Sequence, residues 1–371
     1  MTSGTRSPLH STHVALGAAF TDFAGWAMPI RYGSELAEHE AVRSTAGLFD
    51  LSHMGEIELE GPEAGTALDM ALVGNLSGLA PGRARYTMIC APDGGVLDDL
   101  VVYRLTERRF MVVANASNRS VVADELGARA AGLDVEVIDR SLQTALIAVQ
   151  GPASAAIVKA AIGGAATGSI VDEMKYYACR PAAIRGIDVL LARTGYTGED
   201  GFELYADADH AAEIWQLLAD IGATHRLVPA GLACRDTLRL EAGMPLYGNE
   251  LSPNRTPFEA GLGRVVKFDK AADFVGRAAL LRRRDEPADE VLVGLRGTGR
   301  RAPRSGYPVL RDRTAVGAVT SGALSPTLGH PVAMAFVSRH ASEPGTSLIV
   351  DVRGRPETVD VVALPFYKRS S

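Results

Sequence analysis

The sequence predicts an α+β fold carrying a separate β-rich domain at its C-terminal end, and three observations lead there. Up to about residue 265, short β-like runs are mixed with helical stretches such as "SELAEHEAVRSTAG" and "HAAEIWQLLADIG". From Glu290 onward the chain reads as strand after strand: "VLVGLRG", "GYPVL", "AVGAVTSG", "PVAMAFV", "TSLIVDV" and "TVDVVALPF", separated by Gly, Pro and charged turns. That pattern belongs to a small closed or sandwiched β-domain. Between the two parts lies "FVGRAALLRRRDEPADE", a short helix ending in charges and a proline, which suits a connector. The expected division is a body over residues 1–270, a connector over 271–289 and a β-rich domain over 290–371.

A chain of 371 residues is long enough for two or three packed units with a real core. Its 47% apolar and 22% charged residues are an ordinary globular balance and argue against large-scale disorder. The formal net charge of -6 offers no electrostatic case for nucleic acid or an anionic membrane, since either favours clustered Lys and Arg. Cys90, Cys179 and Cys234 stand far apart with no CxxC pair, which argues against a disulfide framework or a zinc site and for a reducing compartment. The opening "MTSGTRSPLHSTHVALG" has no basic stretch leading into a long apolar core, and no run approaches the roughly eighteen apolar residues of a membrane span. A cytoplasmic location is expected.

The usual cofactor signatures are missing. There is no GxxxxGK[ST], and "AIGGAATGSIV" lacks the strand-to-helix setting of a dinucleotide fingerprint, so it reads as a close-packed loop. The histidines show no HExxH or comparable spacing, and no metal site is predicted; His53, in "GLFDLSHMGEIEL", reads as a turn or core histidine. No GxSxG elbow marks a nucleophile. The run Arg282-Arg283-Arg284 could suggest a phosphate site, but basic residues at a helix C-terminus favourably oppose its dipole and sit in solvent.

What remains is local geometry. "ARYTMICAPDGGVLDDLVVYRL" reads as a hairpin, with Tyr86 to Cys90 as one strand, a Pro/Asp/Gly turn, and Val96 to Leu105 as the other. Strand side chains alternate, so Asp99, Val101 and Tyr103 point one way and Asp98, Leu100 and Val102 the other; the two aspartates do not share a site. A second hairpin, "DVLLARTGYTGEDGFELYA", carries Tyr196 in its glycine-rich turn and Glu203 on the returning strand; a plain hairpin and a binding hairpin both fit it. In "PAGLACRDTLRLEAGMPLYG", a helix opened by proline, Arg235 and Arg239 fall at i, i+4 on one face. Such a pair suits bidentate capture of a carboxylate, and the alternative is an internal ion pair with Asp236 or Glu241.

These residues also carry a resemblance. "FAGWAMPIRYGS", "GLFDLSHMGEIELEGPEA", "GGVLDDLVVY", "RTGYTGEDGFELY", "RDTLRLEAGMPLYGNEL", "TSGALSPTLGHPVAMAFV" and the closing "PFYKR" resemble, in order, the T-protein (aminomethyltransferase) family of the glycine cleavage system. The resemblance implies a three-domain cloverleaf around a central folate site, with two interleaved α+β domains in residues 1–270 and an all-β, barrel-like third domain. It implies transfer of the methylene of aminomethyl-dihydrolipoyl H-protein to tetrahydrofolate with release of ammonia. Tetrahydrofolate is then the co-substrate, and the lipoyl group is supplied by the lipoylated H-protein partner.

Carried over position by position, the resemblance makes Asp99 catalytic and assigns folate contacts to Tyr86, Asp99, Tyr103, Asn115, Tyr196, Glu203, Arg235 and Tyr367. Asp98 is expected to hold nearby backbone N–H groups. The sequence departs from the family pattern at Lys368, where an arginine is common, at Arg264, where an aromatic is common, and after Asn115, where a Lys-Asp is missing. Two other classes compete: a non-catalytic folate-binding scaffold of the iron–sulfur assembly type, and an oxidative demethylase subunit acting on sarcosine or dimethylglycine. The first carries a K-G-C-Y-x-G-Q-type motif where this chain has "RTGYTGEDGFEL", and the second a fused flavin domain that this chain lacks.

Overall fold

The computed structural model describes residues 4–163 and 170–369, so most of the Ala/Gly-rich loop lies outside the described residues. The fold is α+β, with largely antiparallel sheets and a closed β-barrel. The chain forms two compact units, the first made of residues 1–71, 75–87 and 100–235, the second of residues 72–74, 88–99 and 236–371.

The first unit carries a small three-stranded sheet of Thr5–Arg6, Trp26–Arg31 and Ala19–Phe23 and is built mainly on two larger ones. In the six-stranded sheet the order is Cys179–Ile184, Ile187–Ala192, Gly201–Asp207, Thr144–Gln150, Gly47–Asp50 and the short Val228–Pro229, which alone in this sheet pairs parallel. Helices Ser154–Ile162 and Ala211–Ala223 cover one face of it. "HAAEIWQLLADIG" forms the second of these because Ile214, Trp215 and Leu218 recur at helical spacing and bury together against Ile147, Val149 and Leu204. Each such large apolar side chain contributes ~1.5–3 kcal/mol when taken from water. "SELAEHEAVRSTAG" supplies helix Glu35–Ser44, capped by Ser34, whose hydroxyl accepts from Ala37 N. Its buried Glu38 carboxylate receives the backbone N–H groups of Tyr32, Gly33 and Gly231.

The other sheet runs Arg83–Cys90, Val96–Arg104, Arg109–Ala114, Gly55–Glu60 and Glu136–Asp139. Helices Ala64–Ala71 and Arg119–Arg129 pack beside it. The first two strands are the "ARYTMICAPDGGVLDDLVVYRL" hairpin, and the chain passes between the two units within each of them.

In the second unit all six β-like runs of the C-terminal part form strands of one closed barrel. Around it they run Glu290–Gly297, Pro331–Ser338, Thr314–Leu324, Pro308–Arg311, Ser347–Asp351 and Pro356–Val362, which pairs back onto the first. Closure leaves no open sheet edge. Alternate residues fill the interior, among them Val293, Leu295, Val309, Val319, Ala335, Leu348, Val359 and Val361. The connector helix Arg277–Asp285 ends in its basic run, with Arg284 paired to Asp285 in solvent, as the dipole argument anticipates.

Candidate active site

The glycine hairpin is shaped by one side chain from the neighbouring strand. Gln150 donates its amide to Thr194 O at 3.1 Å and accepts from the Thr197 hydroxyl at 3.0 Å. A Cβ on Gly195 or Gly201 would meet the Gln150 amide at 2.0 or 2.3 Å, so a side chain at either would push aside the amide that holds the turn. Arg193 clamps Asp200 with two hydrogen bonds of 3.0 and 2.6 Å, and Arg43 binds Thr197 O and Glu199. This rigid turn holds Tyr196 half-buried with the Arg235 guanidinium 4.6 Å from its ring centroid, a cation–π stack.

Strand register places the facing residues. Glu56 and Val101 both pair with Val113, and Glu58 and Tyr103 both pair with Met111, so Glu56, Glu58, Val101 and Tyr103 share one face of the five-stranded sheet. On the six-stranded sheet Glu203 pairs with Ala148 and Ala192, and Tyr205 follows two residues on, on the same face. Side chains from the two sheets meet at Glu203. Its Oε2 accepts from Thr194 at 2.5 Å, Tyr103 at 3.2 Å and Tyr205 at 3.3 Å, while Tyr103 and Thr194 hydroxyls are also 2.8 Å apart. Burial first, and then the Glu203 charge, pushes both tyrosines well above the usual phenol range, so both remain protonated donors. Oε1 takes none of these bonds, and Glu203 is half-exposed. A carboxylate tied at one oxygen and open at the other is arranged to accept N–H donors from a ligand.

Two groupings among the expected site residues are therefore direct: Tyr103 with Glu203, and Tyr196 with Arg235, all in the first unit. Tyr86 is half-buried on its strand, and Asn115 sits half-buried at the start of the single turn Ala116–Asn118. In the second unit, Asp98 is fully buried and Asp99 half-buried, the alternation expected of a strand. Tyr367, also half-buried there, donates its N–H to Glu241 O at 2.8 Å, while Lys368 is exposed. Arg264 is exposed as well. Of the two helix arginines, Arg239 takes the internal ion-pair alternative, buried and bound to Asp236, and also to Glu250 and Ser321, at 2.8, 3.0 and 2.7 Å. A groove of about 940 Å³ in the first unit is lined by Arg83, Arg109, Arg140, Cys179 and Tyr205, among others; none of the expected site residues lines it.

Sequence reasoning missed Thr194, Tyr205, Glu56 and Tyr247. Tyr205 was within reach, because it stands two residues from Glu203 on a strand and so shares its face. Tyr247, in the second unit, has its phenol raised by burial and then by the charges of Asp98 and Asp99. His53 is buried, and burial pushes its imidazole down to about 4, with the nearby Arg235 charge acting in the same direction and Asp50 against it. Among the described residues no group of three or more His, Cys, Asp and Glu could hold a metal ion, and no helix is long and apolar enough to cross a membrane.

Residues 9–270 match the GCVT N-terminal domain, and residues 291–368 match the glycine cleavage T-protein C-terminal barrel domain. The chain is 59% identical to an aminomethyltransferase of Streptomyces coelicolor over 98% of each chain, and 58% identical to one of Cutibacterium acnes over the whole of both. Its fold matches the glycine cleavage system aminomethyltransferase T from Bartonella henselae with a TM-score of 0.92 at 36% identity, covering 99% of each chain. An α+β body, a closed six-stranded barrel and these full-length likenesses define an enzyme of the aminomethyltransferase class. The chain belongs to the T-protein family of the glycine cleavage system.

Proposed function

We propose that the co-substrate is tetrahydrofolate and that the aminomethyl group arrives on the dihydrolipoyl arm of a lipoylated H-protein. The balance is closed: two carbon–nitrogen bonds form to the folate, the methylene carbon loses its amine and its thioether sulfur, and the two folate N–H protons end on ammonia and on the freed thiol. Positive charge develops at the methylene as ammonia leaves. A fixed carboxylate near it stabilises that charge and can hold a proton, effects of about 10²–10⁴-fold where proton transfer is involved. Asp99 is assigned this role, and Tyr86, Tyr103, Asn115, Tyr196, Glu203, Arg235 and Tyr367 are assigned to folate.

The observation that carries this reading is the Glu203 carboxylate, held at Oε2 by three protonated hydroxyls with Oε1 outside that network. Such a carboxylate suits the amino edge of a pterin, which presents N–H donors. Arg235 stacked on Tyr196 supports it with a fixed cation and an aromatic face. The division into residues 1–270, 271–289 and 290–371 and a cytoplasmic location belong to the same reading; three buried cysteines outside any disulfide suit a reducing compartment. The test is turnover of aminomethylated H-protein with and without tetrahydrofolate. Methylenetetrahydrofolate and ammonia are expected in equal amounts with folate, and release independent of folate overturns the reading. Tetrahydrofolate should also raise the melting temperature, with ~2.7 kcal/mol of stabilisation at a hundredfold excess over its dissociation constant.

A further inference from the structure

One buried carboxyl of the first unit has no use in the chemistry above. Glu56, on strand Gly55–Glu60, is 1% exposed, and neither carboxyl oxygen has a hydrogen-bond partner among the described residues. Its backbone is fully engaged: the N–H donates to the Ser141 hydroxyl at 2.9 Å, and the carbonyl accepts from Arg140 N. Burying an ionised carboxyl without a partner costs several kcal/mol, so such a group keeps its proton. A neutral acid with an unused O–H is itself a cost that an apolar residue of similar size would not incur. The register places it on the sheet face that carries Tyr103.

The charged and titratable groups around it come from every neighbouring element. Asp139 of the edge strand, which pairs with Ile57, and Arg119 of the helix beside it, the two paired at 3.4 Å, act on it by charge, while Glu203 and Tyr205 come from the six-stranded sheet. Burial and the Asp139 and Glu203 charges all disfavour ionisation of Glu56, and Arg119 only partly opposes them. The coupling is mutual. A charge on Glu56 would stand against the Glu203 carboxylate and would disfavour ionisation of the Tyr205 hydroxyl that holds it.

We propose that Glu56 is a positioning residue of the transfer site, a proton-bearing carboxyl that sets no second negative charge beside the Glu203 acceptor and supplies its unused O–H once the ligand occupies Oε1 of Glu203. The proposal rests on the folate reading above. Glu56 touches no reacting atom; it acts through Glu203.

The experiment is a pH profile of kcat/KM for tetrahydrofolate in the full chain, with wild type, Glu56→Gln and Glu56→Met, each accompanied by its melting temperature. Wild type should show an alkaline limb as Glu56 ionises, and Glu56→Gln, which keeps a neutral donor, should lose it. Glu56→Met should melt no lower than wild type yet lose at least about tenfold in kcat/KM, chiefly through KM, and Gln should restore most of that loss. An unchanged alkaline limb in Glu56→Gln, an unchanged KM in Glu56→Met, or a marked fall in the melting temperature of either overturns the proposal. If tetrahydrofolate fails to raise the melting temperature of wild type, the folate reading falls and this inference with it; a wild type that binds folate beside a Glu56→Gln variant with the wild-type profile sinks this inference alone.

Discussion

The first unit holds two polar clusters built from similar residues to opposite ends, one fully buried and one half-exposed at its centre. One is centred on Asp50: Ser7 donates to Oδ2 at 2.6 Å, His13 Nε2 lies 2.8 Å from the same oxygen, and Ser52 N donates to Oδ1 at 2.9 Å. With Nε2–H directed at Asp50, Nδ1 is left to accept from the Tyr32 hydroxyl at 2.8 Å, and Trp215 packs its ring edge-on to the imidazole. Burial alone would raise the Asp50 carboxyl, but the hydrogen bonds it receives from His13, Ser7 and Ser52 hold it below the usual range. The other cluster is centred on Glu203, where three hydroxyls crowd one oxygen and Glu56 stands unbonded nearby. A fully satisfied network gives a unique, stable arrangement and has nothing left for a ligand. An incomplete one carries a standing desolvation cost, which a bound molecule can relieve.

The sharpest way to break that contrast is Asp50→Ala. It leaves the Ser7 hydroxyl, the His13 ring and the Ser52 N–H buried without their acceptor, so a loss of ~3–5 kcal/mol of stability is expected. Urea unfolding measures it, and a loss under about 1 kcal/mol would mean the Asp50 cluster is no more a stabilising device than its counterpart.

Acid sharpens the same comparison. His53 titrates at about 4 in the folded chain, while its unfolded value is about 6.5, so the unfolded state takes up a proton first as pH falls. Stability contributed by neutral His53 is thus lost between pH about 6.5 and about 4, by at most roughly 3 kcal/mol. The depressed Asp50 behaves in the opposite window: its contribution is present above the unfolded value of about 3.9 and disappears only below it. Melting temperature against pH should therefore fall in two stages, and His53→Asn should flatten the first while leaving the second.

The smallest expected effects separate stability from function along one strand. Asp99→Asn should fold normally and lose at least about tenfold in turnover, or ~1.4 kcal/mol of transition-state stabilisation. Asp98→Asn, at a fully buried position, should lose ~1–2 kcal/mol of stability and keep its turnover per folded molecule. Calorimetry together with turnover of aminomethylated H-protein reads both; an inactive but stable Asp98→Asn would reverse the assignment of the pair.

Local pattern alone determined a good deal of this protein. The six barrel strands follow from β-branched runs broken by Gly and Pro, and the helix Ala211–Ala223 from its apolar spacing. The Asp98/Asp99 division follows from the two-residue period of a strand, and the family from several long motifs in order. Tertiary structure decided the rest. Arg235 and Arg239 look alike on one helix face, yet Arg239 is buried among Asp236, Glu250 and Ser321 while Arg235 lies on Tyr196. The alternation of "GEIELE" predicts a strand with glutamates on a polar face, and only the burial of that face turns Glu56 into an unpartnered acid. The physical reason is range: periodicity acts between neighbours in the chain, whereas the protonation and pairing of a carboxyl depend on which distant strands exclude water from it.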